Sequence, residues 1–193
     1  MRSERRLARL ESVLRRRQPD LTVVLENIHD PHNVSAILRS CDAAGVMEVQ
    51  LVYTDEEFPK LGKKSSASAK KWVERRNFNC VSDCFEKLHN EGFSVFATHL
   101  GKHSTPLYEL DLTQKVALTF GNEHRGVSEE ASQSADGNFM IPMFGMIQSL
   151  NVSVACAVTL FEAVRQRMRE GKYETSIFED RAVKRLLKKW AMK

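Results

Sequence analysis

Two kinds of apolar pattern alternate along the chain. Short runs rich in β-branched residues read as strands: LTVVLE at 21–26, VMEVQLVY at 46–53, a short one near 72–78, FSVFATHL at 93–100, KVALTFG at 115–121 and NFMIP at 138–142. Between them the spacing predicts helices over 33–44, 82–91 and 128–135. Asn33 is placed to cap the first of these, and Gly45 and Gly92 to stop the first two. A long helix over 150–169 gathers Leu150, Val154, Ala157, Val158, Phe161 and Val164 on one broad apolar face. Amphipathic helices close both ends. One spans 3–17 with Leu7, Leu10 and Leu14; the other spans 177–191 with Phe178, Val183, Leu186, Leu187 and Trp190 opposite basic residues. Strands alternating with helices predict an α/β layered fold, a mostly parallel sheet flanked by helices. The expected organisation is a central domain at 20–171, between a basic helical extension at 1–19 and a basic helical tail at 172–193.

Charge adds what periodicity cannot. The net charge of +4 over 193 residues is unevenly spread. Residues 1–17 hold seven Arg against Glu4 and Glu11, and 172–193 hold seven Lys/Arg against three acids. The body is therefore acidic, apart from the stretch 60–76 (KLGKKSSASAKKWVERR) at +6. Solvated helix faces would explain any one patch, but three basic patches on one chain point to a polyanion such as nucleic acid. No apolar run reaches membrane length, and the basic N-terminus lacks the apolar centre of a secretion signal. Cys41, Cys80, Cys84 and Cys156 form no CxxC pair, which argues against a zinc site or a disulfide framework and for a reducing cytoplasm. No metal is expected.

Motif absences narrow the chemistry. No GxGxxG follows a strand, so the dinucleotide fingerprint is missing. Gly121-Asn-Glu-His-Arg-Gly126-Val127-Ser128 occupies the place of a phosphate-binding loop, yet Val127 replaces its lysine and Glu123 adds the wrong charge. Three segments at the ends of predicted strands nevertheless concentrate unusual polar residues. They are NVSAILR at 33–39, GNEHRG at 121–126 and IPMFGMIQSLNVS at 141–153. Each also has a plain reading: a capped helix with a surface arginine, a tight strand-to-helix turn, and a helix cap at Ser149 or Asn151.

Taken together and in this order, the three segments resemble the signature motifs of the SpoU-type RNA ribose 2′-O-methyltransferases of the SPOUT superfamily. The likeness extends to RRRQPDLTVVLENIHDPHNVSAILRSCDAAGV and SLNVSVACAVTLFEAVRQRM, covers roughly residues 5–172, and is closest to the branch that methylates guanosine 18 in the tRNA D-loop. The resemblance implies a C-terminal deep trefoil knot and a homodimer. It implies S-adenosylmethionine held near Thr98, Leu100, Gly121, Ile141 and Leu150, and a catalytic set of Arg39, Asn33, Glu123, Ser149 and Asn151. In it Asn33 positions Arg39 or the ribose, and Glu123 orients asparagine or arginine side chains across the dimer. Arg39 carries hydroxyl activation, which its permanently charged guanidinium can supply only electrostatically. RNA contacts fall to Arg6, Arg9, Arg17, His32, Arg165 and Arg167, with tRNA as the first expectation. A ribosomal RNA substrate, or a non-catalytic RNA-binding relative, stands as the alternative.

Overall fold

The computed structural model describes residues 4–54, 57–59 and 69–193. The basic stretch 60–68 lies outside the described residues. Among the described residues seven strands form one sheet: β1 (Leu21–Glu26), β2 (Glu48–Val52), β3 (Glu74–Phe78), β4 (Ser94–Thr98), β5 (Thr105–Pro106), β6 (Val116–Phe120) and β7 (Gly137–Met140). Their order is β3-β2-β1-β6-β4-β7-β5 and every pairing is parallel. The central strands LTVVLE and VALTF are buried at every position, as continuous apolar runs are when helices cover both faces of a sheet. At the edge, β3 alternates half-buried and exposed residues (ERRNF).

Among the described residues seven α-helices accompany the sheet: α1 (Glu4–Arg15), α2 (Pro31–Ala44), α3 (Ala69–Trp72), α4 (Val81–Asn90), α5 (Glu129–Ser134), α6 (Val152–Arg169) and α7 (Asp180–Ala191). Strand alternation sorts them into layers. Val23, Leu25, Val49 and Leu51 face α2, α3 and α6, while Val24, Val52 and Ala117 face α4 and α5. Helices α1 and α7 pack on each other through Leu10, Leu14 and Trp190, with Trp72 of α3 5.1 Å from the Trp190 ring. The two ends of the chain thus share one satellite core beside α3. The helical turn α3 and the two-residue strand β5 are too short to carry a period, so no sequence pattern announces them.

Among the described residues no helix is long and apolar enough to cross a membrane. All four cysteines are free thiols, and Cys41, Cys84 and Cys156 are buried.

The start of α2 departs from expectation. Its N-cap is Asp30, whose carboxylate accepts from His32 N at 2.7 Å, with Pro31 as the first helical residue. Asn33 lies inside the first turn, which frees its side chain for contacts beyond the helix.

Candidate active site at the carboxyl edge of the sheet

Because all strands run parallel, the loops after β1, β4, β6 and β7 emerge on one edge, where open α/β sheets bind ligands. The loop after β1 turns at Asn27, the one non-glycine among the described residues with positive φ (50°), a conformation asparagine tolerates. Asn122 fastens this loop to the one after β6. Its Nδ2 donates to Asn27 O at 2.8 Å, while its Oδ1 accepts from His124 N at 3.0 Å and Arg125 N at 3.3 Å. Gly121 is glycine because of the same loop. A Cβ there would stand 2.1 Å from the carbonyl of Gly126, which itself turns at φ +72°. Below them the buried Glu26 accepts from Ser128 N at 3.0 Å.

On this scaffold three distant segments meet in one hydrogen-bonded line. Glu123 accepts from Asn33 Nδ2 at 2.9 Å and from the backbone N–H groups of His29 and Asp30, both at 3.1 Å. Asn33 Oδ1 accepts from Asn151 Nδ2 at 3.0 Å. Asn151 is the N-cap of α6, its Oδ1 accepting from Ser153 N at 2.9 Å and Ser153 Oγ at 2.6 Å. Partial burial penalises the Glu123 charge. The donors from Asn33, from its own backbone and from His29 and Asp30 outweigh that and hold its pKa below the ordinary carboxylate value. Glu123 therefore orients Asn33 of its own chain.

Arg39 stands apart from this line. It is exposed, has no partner among the described residues and does not bond Asn33. It lies seven residues from His32, also exposed, so both project from the same side of α2. Ser149 is exposed at the entry to α6. The residues expected beside the cofactor fall where the strands end: Thr98 and Leu100 at and after β4, Gly121 after β6, Ile141 after β7, and Leu150 beside the α6 cap. Thr98 Oγ1 donates to Thr119 O at 3.0 Å, tying β4 to β6, whereas Leu100 is 66% exposed.

Two of the arginines expected to face RNA are structural. Arg17 is buried, donates to Val46 O at 2.9 Å, pairs with Asp42 and lies 5.1 Å from the centre of the Trp190 ring. Arg167 is buried and donates to Leu112 O (2.9 Å), Gln18 Oε1 (3.1 Å), Gln114 O (2.5 Å) and Asp20 Oδ1 (2.5 Å). Both carry the charge a basic patch requires, but the chain folds it inward against carbonyls and carboxylates. Arg165 is exposed with its guanidinium engaged by Glu162 at 2.8 and 2.6 Å. Arg6 and Arg9 are exposed on α1 and have no partner among the described residues. Sequence reasoning misses Asn27, Asn122 and Glu26, the residues that brace the loops. Their only signal is a pair of polar residues closing an apolar strand.

A three-layer parallel α/β domain with such a tripartite polar line belongs to a known class. The chain is a member of the SpoU rRNA Methylase family, whose model matches residues 20–161. Within it, the chain is 48% identical over 192 residues to the tRNA (guanosine(18)-2′-O)-methyltransferase of Thermus thermophilus, covering 100% of this chain and 98% of that protein. A 23S rRNA (guanosine-2′-O-)-methyltransferase of Vibrio cholerae is 36% identical over 161 residues, covering 82% of this chain but 64% of its own. The structure superposes with a TM-score of 0.92 on the Aquifex aeolicus TrmH/SpoU tRNA modifying enzyme, 40% identical, covering 98% of this chain and 96% of that one.

Proposed function

We infer that this chain methylates the 2′-hydroxyl of a ribose in RNA, and that its substrate is guanosine 18 of tRNA. The observation that carries the chemistry is the line Glu123–Asn33–Asn151, which joins all three signature segments at one edge of the sheet. What favours tRNA over ribosomal RNA is likeness: the tRNA-modifying enzymes of Thermus thermophilus and Aquifex aeolicus are 48% and 40% identical to this chain, the ribosomal RNA relative 36%.

The methyl donor we assign is S-adenosylmethionine, which when bound supplies an electrophilic methyl on a sulfonium. The residues at the strand ends suit it. Leu100, Ile141 and Leu150 offer apolar walls, the loop at Gly121 offers main-chain groups, and no cradle for a phosphate is needed. A solved relative at 27% identity, an rRNA methyltransferase of Sinorhizobium meliloti, is described as bound to this molecule. On the protein side, Arg39 remains a cation at any working pH. It grips an RNA phosphate and stabilises the negative charge that grows on the 2′-oxygen, while the proton leaves to water or a phosphate oxygen. Asn33, held by Glu123 and Asn151, fixes the ribose beside it, with Ser149 at the helix entry. Outside the site, Arg6, Arg9 and His32 meet the RNA, and contacts of this kind position without reading sequence.

We further take the enzyme to be a cytoplasmic homodimer. Val154, Phe161 and Met168 recur every seven residues along α6 and are 47%, 52% and 62% exposed, an apolar stripe that a second copy would cover. The family's C-terminal trefoil knot belongs to the same reading, and the out-of-sequence order β6-β4-β7 supports it.

The test is methyl transfer from labelled S-adenosylmethionine to an unmodified tRNA transcript, with nuclease mapping of the product. A 2′-O-methylguanosine at position 18 is expected. Transfer to ribosomal RNA alone would discard the tRNA assignment and keep the chemistry.

A further inference from the structure

A cleft of about 300 Å³ opens at the carboxyl ends of β2 and β3, apart from the line Glu123–Asn33–Asn151. Its walls are Tyr53, Phe58 and Phe78, and its rim carries Arg75, Asn77 and Asn79. The volume lies at the small end of the pockets that hold organic ligands, roughly 300–1,000 Å³. The rings of Tyr53 and Phe58 meet edge to face, centroids 5.3 Å apart at 82°. That arrangement leaves a ring face of Phe58 uncommitted to its neighbour. Arg75 and Asn77 alternate outward along the edge strand β3, and Asn77 stands in register with Leu51. The side chains of Arg75, Asn77 and Asn79 have no hydrogen-bond or ionic partner among the described residues. Two amides, each both donor and acceptor, and one planar cation are what the edges of a nucleobase require.

The cleft is joined to the active site. Tyr53 Oη donates to Ile28 O at 3.0 Å, and Thr54 and Asn27 exchange two hydrogen bonds of 2.9 Å. Residues 27–30 thus serve both places, since His29 N and Asp30 N hold Glu123. β3 lies two strands from β1, roughly 10 Å across the sheet. That distance is within reach of the nucleotide whose ribose reacts, or of its immediate neighbour.

We propose that this cleft receives an unstacked nucleobase of the RNA substrate, clamped against Phe58 and read at its edge by Asn77 and Asn79. The proposal rests on the RNA methyltransferase reading above. It agrees with how proteins recognise RNA, whose helical grooves hide base edges so that splayed bases are stacked on aromatic and guanidinium planes. Arg75 brings charge of the right sign.

Two tRNA transcripts test it, one with a single 6-thioguanosine at the methylated position and one with it at the adjacent position. Each is irradiated on the wild-type enzyme and the adduct is mapped by mass spectrometry. An adduct on Tyr53, Phe58 or residues 75–79 is expected from one of them, and which one tells the target base from its neighbour. Adducts confined to other residues in both would overturn the proposal. In parallel, Phe58→Ala and Asn77→Ala should raise KM for tRNA on the order of tenfold, with affinity for S-adenosylmethionine unchanged and Phe58→Trp retaining function. Asn77 is exposed, so its variant folds regardless. An unchanged KM in Asn77→Ala and Phe58→Ala, with wild type active, would sink the base site alone. A wild-type enzyme that methylates no RNA would bring down the parent reading together with it.

Discussion

The side-chain amide of Asn33 donates to Glu123 Oε1 at 2.9 Å, and this one bond closes a gap of 90 residues in sequence. It matters because an amide can be flipped, and a flipped Asn33 would present a donor to Asn151 Nδ2 instead of the oxygen that now accepts from it. Glu123 prevents this. As a carboxylate it only accepts, so the amide nitrogen must face it and the amide oxygen must face Asn151.

Glu123→Gln should therefore damage the site more than its size suggests. The new amide must turn its oxygen either to Asn33 Nδ2 and Asp30 N, which share Oε1, or to His29 N, which bonds Oε2, leaving a donor facing a donor. We expect about 1–2 kcal/mol of lost stability and a methyl-transfer rate reduced by an order of magnitude or more. The pH dependence carries a definite sign. The Glu123 pKa is lowered in the folded state from its ordinary value near 4.5, so its contribution is complete above that value and fades as pH falls through it toward the folded pKa. Denaturation of wild type and variant from neutral pH down into the acid range should show the stability gap closing at the acid end. A gap independent of pH would mean that the loss comes from packing rather than from charge.

Arg39→Ala should separate chemistry from folding. The side chain is exposed and without a partner among the described residues, so stability should change by no more than about 0.5 kcal/mol. Activity should fall on the order of 100-fold or more if the guanidinium stabilises a developing alkoxide. Cofactor affinity, measured by calorimetry, should stay put. A loss of cofactor binding in the variant would place Arg39 in the wrong half of the site.

Much of the fold is legible in the sequence because its strands are unambiguous. LTVVLE and VALTF are too apolar to be anything but central, and the breaks at Gly45 and Gly92 end α2 and α4 where expected. What sequence cannot supply is direction. Asn33 suits a helix cap, yet Asp30 takes that role because Pro31 fixes the first helical residue, and Asn33 turns to Glu123 instead. Seven arginines in residues 1–17 look alike on paper, but only tertiary packing reveals that Arg17 faces Asp42 and Trp190 while Arg6 and Arg9 face water. The Asn27–Asn122 brace is likewise invisible until β1 and β6 are known to be neighbours.

The two classes of arginine give opposite phenotypes. Arg167→Ala removes a buried guanidinium that bonds the carbonyls of Leu112 and Gln114 and leaves Asp20 with Lys172 as its remaining cation, so it should cost about 3–5 kcal/mol and lower Tm by many degrees. Arg6→Glu with Arg9→Glu should leave Tm alone. It should instead weaken tRNA binding and flatten the slope of log affinity against log salt by a little under one unit for each phosphate no longer neutralised. Filter binding over a salt series spanning roughly 50 to 200 mM reads this directly. A salt slope unchanged from wild type would move the RNA path off α1.

The apolar stripe of α6 decides whether the active site works alone. Val154, Phe161 and Met168 recur every seven residues, so they lie on one side of the helix, while the opposite side of α6 packs on α2 through the core around Cys156 and Leu160. A soluble monomer seldom leaves three large side chains in a row half open to water, and a symmetric contact between two α6 helices would cover them. Phe161→Glu places a charge at the middle of that contact, opposite its own copy on the two-fold axis. Sedimentation should show a dimer for wild type and a shift to monomer for the variant at micromolar protein. The fold should survive, since Phe161 is 52% exposed and contributes little to the core of one chain. Because Asn151, the α6 cap, reaches Asn33 from the head of the same helix, loosening the stripe should also lower methyl transfer. A wild-type chain that sediments as a monomer would remove the dimer from the reading, and a monomeric variant with full activity would show that each chain holds a complete site.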